Sequence, residues 1–337
     1  MEVHLTTRDS VLRRFVAVTI GLFFVFGLLA DGPSAALEGF LRLQFSPARL
    51  LSDFTAMEGA GAALLNASLV GLLGAAVLKI NKIKLSGPTA AAIFTMMGFA
   101  LFGKTILNCL PIILGVSLAA LLVGKQPREY LLIALFGTAL GPVVSFVAFE
   151  LGLPPILAFP ASMVIGLLTG IVLPPLAIAM LHLHQGYNLY NVGLTAGFLG
   201  LFTASIPNAG GIDIAAISFW GAEASIWLSI LIPLLSLAAV AMAFMCCGKG
   251  SWMEFTRILK LPGRLPSDFC DLEGPGGALL NAGFLGLGYS AFIALIGAPF
   301  NGPVIGGLMT ILCFAFFGKH GKYVLQVFIG LAIAASV

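Results

Sequence analysis

Long apolar runs separated by short polar breaks occupy most of the chain. The first run, FVAVTIGLFFVFGLLA, covers 15–30, and the last, YVLQVFIGLAIAASV, covers 323–337. A membrane-spanning helix needs roughly 17 to 25 mostly apolar residues, and runs near that length recur throughout the chain. The pattern predicts an all-α polytopic membrane protein with about eleven membrane segments. These segments lie near 11–30, 60–78, 86–102, 105–123, 129–150, 153–181, 190–207, 224–247, 275–293, 302–318 and 321–337.

Composition supports this class of protein and argues against a soluble one. Hydrophobic residues make up 59% of the 337 residues and charged residues only 9%, whereas a soluble domain carries roughly a quarter charged residues. The basic residues sit in the loops, so the net charge of +3 does not indicate a nucleic-acid partner. The five cysteines show neither metal-ligand spacing nor a disulfide framework, and no cofactor is predicted. The lipid bilayer is the expected environment, and the first apolar run is too long for a signal peptide.

A polar, glycine-rich element occurs twice in the chain. SDFTAMEGAGAALLNASLVG covers 52–71, and SDFCDLEGPGGALLNAGFLG covers 267–286. Placing Ser52 on Ser267 aligns 52–104 with 267–319 without a gap, and 22 of the 53 aligned positions are identical. The identities include Asp, Glu, Asn, Pro and Lys, which apolar low-complexity sequence does not match by chance. The pattern therefore indicates an internal duplication.

The duplication divides the chain into two tandem repeats of unequal length. The first repeat, 1–215, holds about seven of the predicted segments, and the second, 216–337, holds about four. Val337 aligns with Leu122, so the counterpart of 123–215 is missing and the second repeat is incomplete. Either the protein is naturally short, or its chain continues beyond this sequence.

An odd number of segments per repeat would insert the second repeat upside down. With an N-terminus in the cytoplasm, the basic loops KINKIK (79–84) and GKQPRE (124–129) also fall inside, as the positive-inside rule requires. The connector 248–269 is then cytoplasmic and is predicted to form an amphipathic helix along the membrane surface. The alternative is that the proline-rich stretch 153–181 dips and returns, which would make the repeats parallel.

The doubled element supplies two pairs of candidate site residues. Asn66 and Asn281 lie about two helical turns inside their segments, where an unpaired amide is costly. They either face each other and line a polar path, or they tie neighbouring helices together. Glu58 and Glu273 stand where the segments begin. Each could cap a helix, lie in a solvated vestibule, or bind substrate or a proton directly.

Small and hydroxyl-bearing residues are also repeated. Thr95 and Thr310 occupy equivalent positions in apolar segments and are predicted to line the same path. Glycines can let helices pack closely. Those with this predicted role are Gly59, Gly71, Gly274 and Gly286.

The most polar stretch flanked by apolar sequence is HLHQGYNLYNVGLTAG, at 182–197. Amide groups can recognise a neutral solute, with tyrosine rings as walls. The candidates are Gln185, Tyr187, Asn188, Tyr190 and Asn191. Histidines two positions apart do not share a helix face, so a metal pair is not predicted. The alternative is that the stretch is the cytoplasmic end of a segment, with interfacial tyrosines and capping asparagines.

Three further features have mainly structural interpretations. Lys104 and Lys319 each end a segment after Phe-Gly, and they are predicted to be anchors that reach the membrane surface. The proline pairs at 154–155 and 174–175 are predicted to bound a segment that cannot run as a regular helix. Glu150 is predicted to mark the outer edge of its segment.

These features predict a transporter or channel rather than an enzyme. The sequence carries no nucleotide-binding, metal-ligand or Ser-His-Asp signature. The favoured hypothesis is a path for a small polar solute, which need not carry charge, between two inverted repeats. The alternatives are a proton- or sodium-coupled transporter of a small organic anion, and a membrane scaffold or enzyme without flux. A homo-oligomer is left open.

Four motifs together resemble a known family. The doubled EGxGxALLNA element, GFALFGK (98–104), IALFGTALGP (133–142) and HQGYNLYNVG (184–193) are similar to an uncharacterised family of bacterial multi-pass membrane proteins, a domain of unknown function. This resemblance covers most of the chain. It implies a bacterial inner-membrane protein with a complete second copy, and it implies no substrate. NASLVG (66–71) and LPPILAFP (153–160) are also similar to elements of bacterial urea transporters, which favours a path for a neutral solute.

Overall fold

The computed structural model describes residues 2–50, 52–211, 219–222, 225–263, 267–324 and 326. Helices dominate these ranges, and the only strand-like pairings in them are isolated bridges. The helices are α1 (Glu2–Asp31), α2 (Pro33–Gln44), α3 (Phe54–Ile80), α4 (Gly87–Phe99), α5 (Ile106–Leu122), α6 (Leu131–Gly137), α7 (Gly141–Phe149), α8 (Pro155–His184), α9 (Asn191–Ala209), α10 (Ile226–Cys247), α11 (Ser251–Ile258), α12 (Phe269–Leu272), α13 (Pro275–Leu295) and α14 (Gly302–Phe314). The prediction of an all-α protein is confirmed.

Local sequence signals explain where several helices begin. Asp53 accepts a hydrogen bond from the Thr55 N–H at the start of α3, and Asp268 accepts one from the Cys270 N–H at the start of α12. Such caps satisfy amides that have no partner within the helix. α4 and α14 both begin with Gly-Pro. Proline suits the first helical turn because its missing N–H would have no intrahelical partner there.

Length divides the apolar helices into two groups. Six are long and apolar enough to cross a membrane: α1, α3, the stretch Pro127–Phe149, α8, α10 and α13. α4 and α14 have only 13 residues each, about 20 Å at 1.5 Å per residue, against about 30 Å for a hydrocarbon core. The apolar sequence 86–102 is longer than α4 because the helix ends at Phe99 and a turn through Gly103, with φ of 85°, follows.

α4 and α14 lie side by side and run in opposite directions. A Cβ atom built on Gly87, where α4 begins, would lie 2.5 Å from the Phe316 carbonyl oxygen, just beyond the end of α14. A Cβ atom built on Gly302, where α14 begins, would lie 2.7 Å from the Leu101 carbonyl oxygen, just beyond the end of α4. Each short helix therefore begins where the other ends. We call α4 and α14 the central pair.

An aspartate stands at each end of the central pair. Asp268 Oδ2 accepts a hydrogen bond from the Gly87 N–H at the start of α4. Asp53 is fully buried, and its Oδ1 would lie 2.5 Å from a Cβ atom on Gly302 at the start of α14. We refer below to the Asp53 end and the Asp268 end of the pair. Each aspartate thus caps the helix that follows it in the chain and also contacts the first residue of one central helix.

The other helices pack together in sets of three. α1 and α2 pack on α3, and α10 and α11 pack on α13, while α5 and α7 pack on α8. The rings of Phe15, Phe94 and Phe316 join α1 to the central pair, with centroids 5.7–6.1 Å apart. All three side chains are almost completely buried. Aromatic burial of this kind stabilises the contact by more than area alone, by about 0.5–1.5 kcal/mol per ring pair.

The prediction that the proline pairs interrupt a helix is wrong. α8 runs from Pro155 to His184 and contains Pro160, Pro174 and Pro175. In the first pair, Pro154 is the N-cap and Pro155 is the first helical residue, where proline is tolerated. Neighbouring helices can offset the lost hydrogen bonds of the second pair, as they do in membrane helices generally. The irregular stretch is instead Pro127–Phe149, where one 3₁₀ turn precedes α6 and a second separates α6 from α7.

Two predictions fall partly or wholly outside the described residues. The last predicted segment, 321–337, is described only up to 324 and at 326, and the start of the second repeat at 216 lies in an undescribed stretch. The connector 248–269 contains α11, which buries Ser251 and Ile258 and exposes Trp252 and Met253. That short helix therefore packs one face against the protein and exposes apolar side chains, Trp252 and Met253, on another.

Candidate functional site

A cavity of about 750 Å³ lies beside the central pair. Its wall is formed by α4 and α14 on one side and by α6, α7 and α9 on the other. Arg49 and Phe146 line it towards the Asp53 end, and Leu189 and Tyr190 line it towards the Asp268 end. The cavity therefore follows the length of α4 and the later half of α14. Its volume falls in the range of small-molecule pockets, roughly 300–1,000 Å³.

Most of the cavity wall is apolar. Six aromatic rings contribute to it, from Phe99, Phe136, Phe146, Tyr190, Phe314 and Phe317. Phe136 and Phe314 stack across the gap between α6 and α14, with centroids 6.1 Å apart. The sequence analysis did not single out these phenylalanines, because 27 phenylalanines are scattered along the chain and helical spacing alone does not separate cavity from core.

Four of the predicted site residues line this cavity. Thr95 and Thr310 face it from α4 and α14, and Tyr190 and Asn191 face it from the start of α9. Thr95 Oγ1 donates to the Ala91 carbonyl at 2.8 Å. Thr310 Oγ1 donates to the Gly306 carbonyl at 3.0 Å. The two threonines occupy equivalent positions in the two repeats, and their hydroxyl groups make equivalent bonds.

Both polar atoms of the Asn191 amide have partners within the protein. Its Nδ2 donates to the Ala177 carbonyl at 3.0 Å, and its Oδ1 lies 2.8 Å from His184 Nε2. The rest of the predicted 185–191 cluster lies away from the cavity lining. Gln185 has left-handed backbone geometry, with φ of 50°, at the end of α8, and Tyr187 is 70% exposed. Asn188 Oδ1 accepts the Tyr190 N–H.

Asn66 and Asn281 lie in hydrogen-bonded contacts and are not among the cavity-lining residues. Asn66 Nδ2 donates to the carbonyls of Ala100 at 2.7 Å and Lys104 at 2.8 Å, and its Oδ1 accepts from Gln44. Asn281 donates in the same way. Its acceptors are the carbonyls of Ala315 and Lys319, both at 2.8 Å. The amides hold the turns that follow α4 and α14.

Glu58 and Glu273 form equivalent ion pairs at the protein surface. Glu58 Oε2 lies 2.7 Å from Arg42 Nε, and Glu273 Oε2 lies 3.9 Å from Arg257 Nη1. The arginines are about half exposed. These carboxylates line no part of the cavity, and their arginine partners also occupy equivalent positions in the two repeats.

The repeated glycines have two different roles. Gly59 and Gly274 break their helices with φ of 90° and 133°, values that L side chains rarely adopt. After each break, a backbone N–H in the first turn of the helix that follows donates to a carboxylate. The Gly61 N–H donates to Asp31, and the Gly277 N–H donates to Glu254. The amides at these helix starts are thus occupied by the protein's own side chains.

Gly71 and Gly286 lie where a side chain would meet a neighbouring helix. A Cβ atom on Gly71 would lie 2.6 Å from Met97 Cγ on α4. A Cβ atom on Gly286 would overlap the Ser236 side chain on α10. Larger residues at these positions would separate the helices.

The prediction that Lys104 is a surface anchor is wrong. Lys104 is fully buried, its Nζ donates to Thr138 Oγ1 at 2.9 Å, and the ammonium lies 4.9 Å from the centroid of the Phe99 ring. Phe99 is a cavity wall residue, so the lysine lies directly behind that wall. Lys319, its counterpart, is partly buried, with Nζ 5.4 Å from the centroid of the Tyr190 ring.

An ion pair that the sequence did not predict lies at the Asp53 end of the cavity. Arg49 Nε donates to Glu150 Oε1 at 3.0 Å, and the second guanidinium nitrogen, Nη2, contacts Glu150 Oε2. The guanidinium also lies 5.5 Å from the centroid of the Phe146 ring. The Glu150 side chain is only 7% exposed. Glu150 thus ends α7, as expected of a segment edge, and at the same time neutralises an arginine that lines the cavity.

Electrostatics at the Asp268 end are balanced within the protein. Burial raises the pKa of the Asp268 carboxyl, while the Gly87 N–H and the Arg8 guanidinium favour its charged form. Arg8 also contacts Asp271. Within the described ranges, no three histidine, cysteine, aspartate or glutamate side chains are placed to hold a metal ion.

The fold and the cavity define a class of protein. Six long apolar helices, a central pair of short ones and an apolar-walled cavity beside that pair are the features of an all-α multi-pass membrane protein. The family described as "Protein of unknown function (DUF1576)" matches residues 33–209 and 248–337, and the chain belongs to that family. The two matched segments begin at 33 and 248, which are equivalent positions in the alignment of the two repeats. No curated protein and no solved structure matches the chain.

Proposed function

We propose that the protein is a membrane transporter or channel for a small, neutral polar solute, and that the cavity beside the central pair is part of the solute's path. The carrying observation is that equivalent threonines, Thr95 and Thr310, line one cavity that lies beside both short helices. Helices too short to cross a bilayer are found in membrane proteins where backbone lines a cavity or is buried in protein. A path for a solute is the function that best fits a cavity beside two helices of this length.

The proposed architecture is a pair of inverted repeats. Several contacts of the first repeat recur at the equivalent positions of the second, including those of Asn66 and Asn281 with the turns after α4 and α14. Contacts between the repeats are reciprocal as well, because Gly87 meets Asp268 and Gly302 meets Asp53. Reciprocal contacts are the mark of a two-fold relationship. Equivalent helices that run in opposite directions support inversion of one repeat relative to the other.

The inverted arrangement agrees with the charge pattern. Arg8 and the loop 79–84 lie towards the Asp268 end, because Asp9 Oδ1 accepts the Leu85 N–H and Arg8 contacts Asp271. We place this end in the cytoplasm of a bacterial cell and the chain in its inner membrane, with α4 and α5 entering and leaving on the same side. The apolar pattern predicts two membrane crossings for α4 and α5, and a hairpin that enters and leaves on one side replaces both. The loops 79–84 and 124–129 stay on the same side of the membrane in either case, so the orientation of the later helices is unchanged.

A neutral solute is favoured over an organic anion. An anion would use the positive ends of the short helices, but Asp268 and Asp53 already lie there. The charged side chain that lines the cavity, Arg49, is neutralised by Glu150. The two antiparallel helix dipoles of the central pair oppose each other, which leaves little net field along the cavity.

Flux through liposomes containing the purified protein tests the proposal. A Cβ atom on Gly197, which lines the cavity, would meet no heavy atom within 4 Å, so Gly197→Phe is expected to fill the path without disturbing the backbone. Gly307 is the matched control, since it is helical, equally open within 4 Å and absent from the cavity lining. Urea and acetamide should enter faster than into protein-free liposomes, and only Gly197→Phe should remove the difference.

Two results would contradict the proposal. If neither solute crosses faster than through lipid alone, the protein has no such path and the alternative of a scaffold or enzyme without flux gains support. If uptake instead requires a proton or sodium gradient and an anionic solute, the coupled transporter of an organic anion is the better assignment.

A further inference from the structure

We infer that the path selects solutes that donate hydrogen bonds, because the cavity's threonine hydroxyl groups offer only acceptor sites. This inference rests on the proposed function and narrows the class of solute. It does not follow from the polarity of the sequence alone, because a threonine hydroxyl can both donate and accept. It depends on where each hydroxyl proton is directed.

Three threonines line the cavity, and each has its hydroxyl proton committed in the same way. Thr95 Oγ1 donates to the Ala91 carbonyl at 2.8 Å, and Thr310 Oγ1 donates to the Gly306 carbonyl at 3.0 Å. Thr203 Oγ1 on α9 donates to the carbonyl one helical turn earlier at 2.7 Å. A hydroxyl has one proton and two lone pairs, so each oxygen can still accept a bond from a molecule in the cavity. Thr95 Oγ1 also lies 3.3 Å from Cys313 Sγ, and a bond accepted from that thiol would still leave the oxygen a second lone pair.

The other polar side chains of the lining, which include donors, lie towards its two ends. Both polar atoms of the Asn191 amide are occupied by protein partners, and the Arg49 guanidinium binds Glu150. Tyr190, whose phenolic O–H is also a donor, stands at the Asp268 end, with its ring centroid 5.4 Å from the Lys319 ammonium. The stretch of the cavity between the two ends is lined by threonine oxygens and by rings and aliphatic side chains.

The energetic consequence is a preference by hydrogen-bonding type. A solute with N–H or O–H groups can bond to a threonine oxygen when it leaves water, whereas a solute with acceptors only cannot. A polar group moved from water into an apolar site without a partner costs about 1–3 kcal/mol by protein mutational data. The faces of aromatic rings carry partial negative charge, so the phenylalanine walls also favour donor groups over acceptor groups.

Size-matched probes test the inference in liposomes containing the full chain. Acetamide carries N–H donors, and dimethyl sulfoxide has the same number of non-hydrogen atoms and no donor. Flux above the protein-free rate is expected to be larger for acetamide in the wild-type protein. Thr95→Val and Thr310→Val should each lower acetamide flux by about tenfold, the factor that corresponds to the net free energy of one hydrogen bond. Dimethyl sulfoxide flux should be unchanged, and Thr95→Ser and Thr310→Ser should retain acetamide flux.

The outcomes separate the inference from the proposed function. Equal protein-dependent flux of the two probes, or unchanged acetamide flux in both valine variants, would overturn the selection by donors and leave a non-selective path. Absence of protein-dependent flux for every probe would overturn the path itself and the inference with it. The comparison of probes in the wild-type protein needs no variant, so a valine variant that fails to fold does not prevent the test.

Discussion

Arg49 and Glu150 are 101 residues apart in the chain and form a two-pronged ion pair at the Asp53 end of the cavity. Removing one partner of a largely buried pair leaves the other charge without compensation, which costs about 3–5 kcal/mol in comparable cases. We expect Glu150→Gln to lower the thermal unfolding temperature in detergent clearly. Glu38→Gln is the matched control, because Glu38 pairs with Arg42 and both side chains are more than half exposed. An exposed pair contributes about 0–1 kcal/mol, so equal shifts for the two variants would show that the Arg49–Glu150 pair is not buried.

Replacing Asn66 or Asn281 should affect stability more than transport. Asn66→Leu leaves the carbonyls of Ala100 and Lys104 without their amide donor, and each buried unsatisfied group costs about 1–3 kcal/mol. We expect both leucine variants to unfold at lower temperature, while flux per folded molecule stays close to wild type. Thermal unfolding measures the loss of stability, and a separate light-scattering flux assay on folded protein measures transport. Stable variants without flux would instead assign the asparagines to the path.

The burial of Lys104 predicts a difference in amine reactivity. Lys104 is fully buried, whereas Lys125 lies at an exposed loop position. Acylation of the folded protein with a water-soluble amine reagent, followed by peptide mass spectrometry, should label Lys125 and spare Lys104. Labelling of both after denaturation is the control. Equal labelling in the folded protein would place Lys104 at the membrane surface after all.

The backbone breaks at Gly59 and Gly274 should not tolerate a side chain. Gly274 has φ of 133° and lies against the Glu254 carboxylate. Strained backbone of this kind costs about 1–3 kcal/mol for a residue other than glycine. We expect Gly274→Ala to lower the unfolding temperature. Gly288→Ala, inside α13 with no heavy atom within 4 Å of its Cβ position, should have no effect or raise it, because alanine favours helix by about 1 kcal/mol.

The sequence predicted the class of fold and the internal likeness of 52–104 and 267–319, because hydropathy and identity are properties of the chain itself. It did not predict the lengths of α4 and α14. The apolar run 86–102 continues through residues that form a turn, and composition does not distinguish helix from buried turn.

Site residues were predicted where the repeat singled them out within an apolar segment, as for Thr95 and Thr310. Asn66 shows the limit of this reasoning. An intramembrane amide is compatible with a path or with a helix tie, and only the positions of its acceptors decide between them. The Arg49–Glu150 pair could not be predicted at all, because its partners come from loops that only the tertiary fold brings together.

The cross-contacts at the two ends of the central pair bear on how the protein is made. Asp268 supplies a bond to the first amide of α4, yet it is synthesised 181 residues after Gly87. In a nascent chain, the Gly87 N–H therefore lacks this acceptor until the later half is made. Co-expressing 1–215 with the remainder as separate polypeptides should consequently yield a stable complex, while the first fragment on its own should be cleared by quality-control proteases.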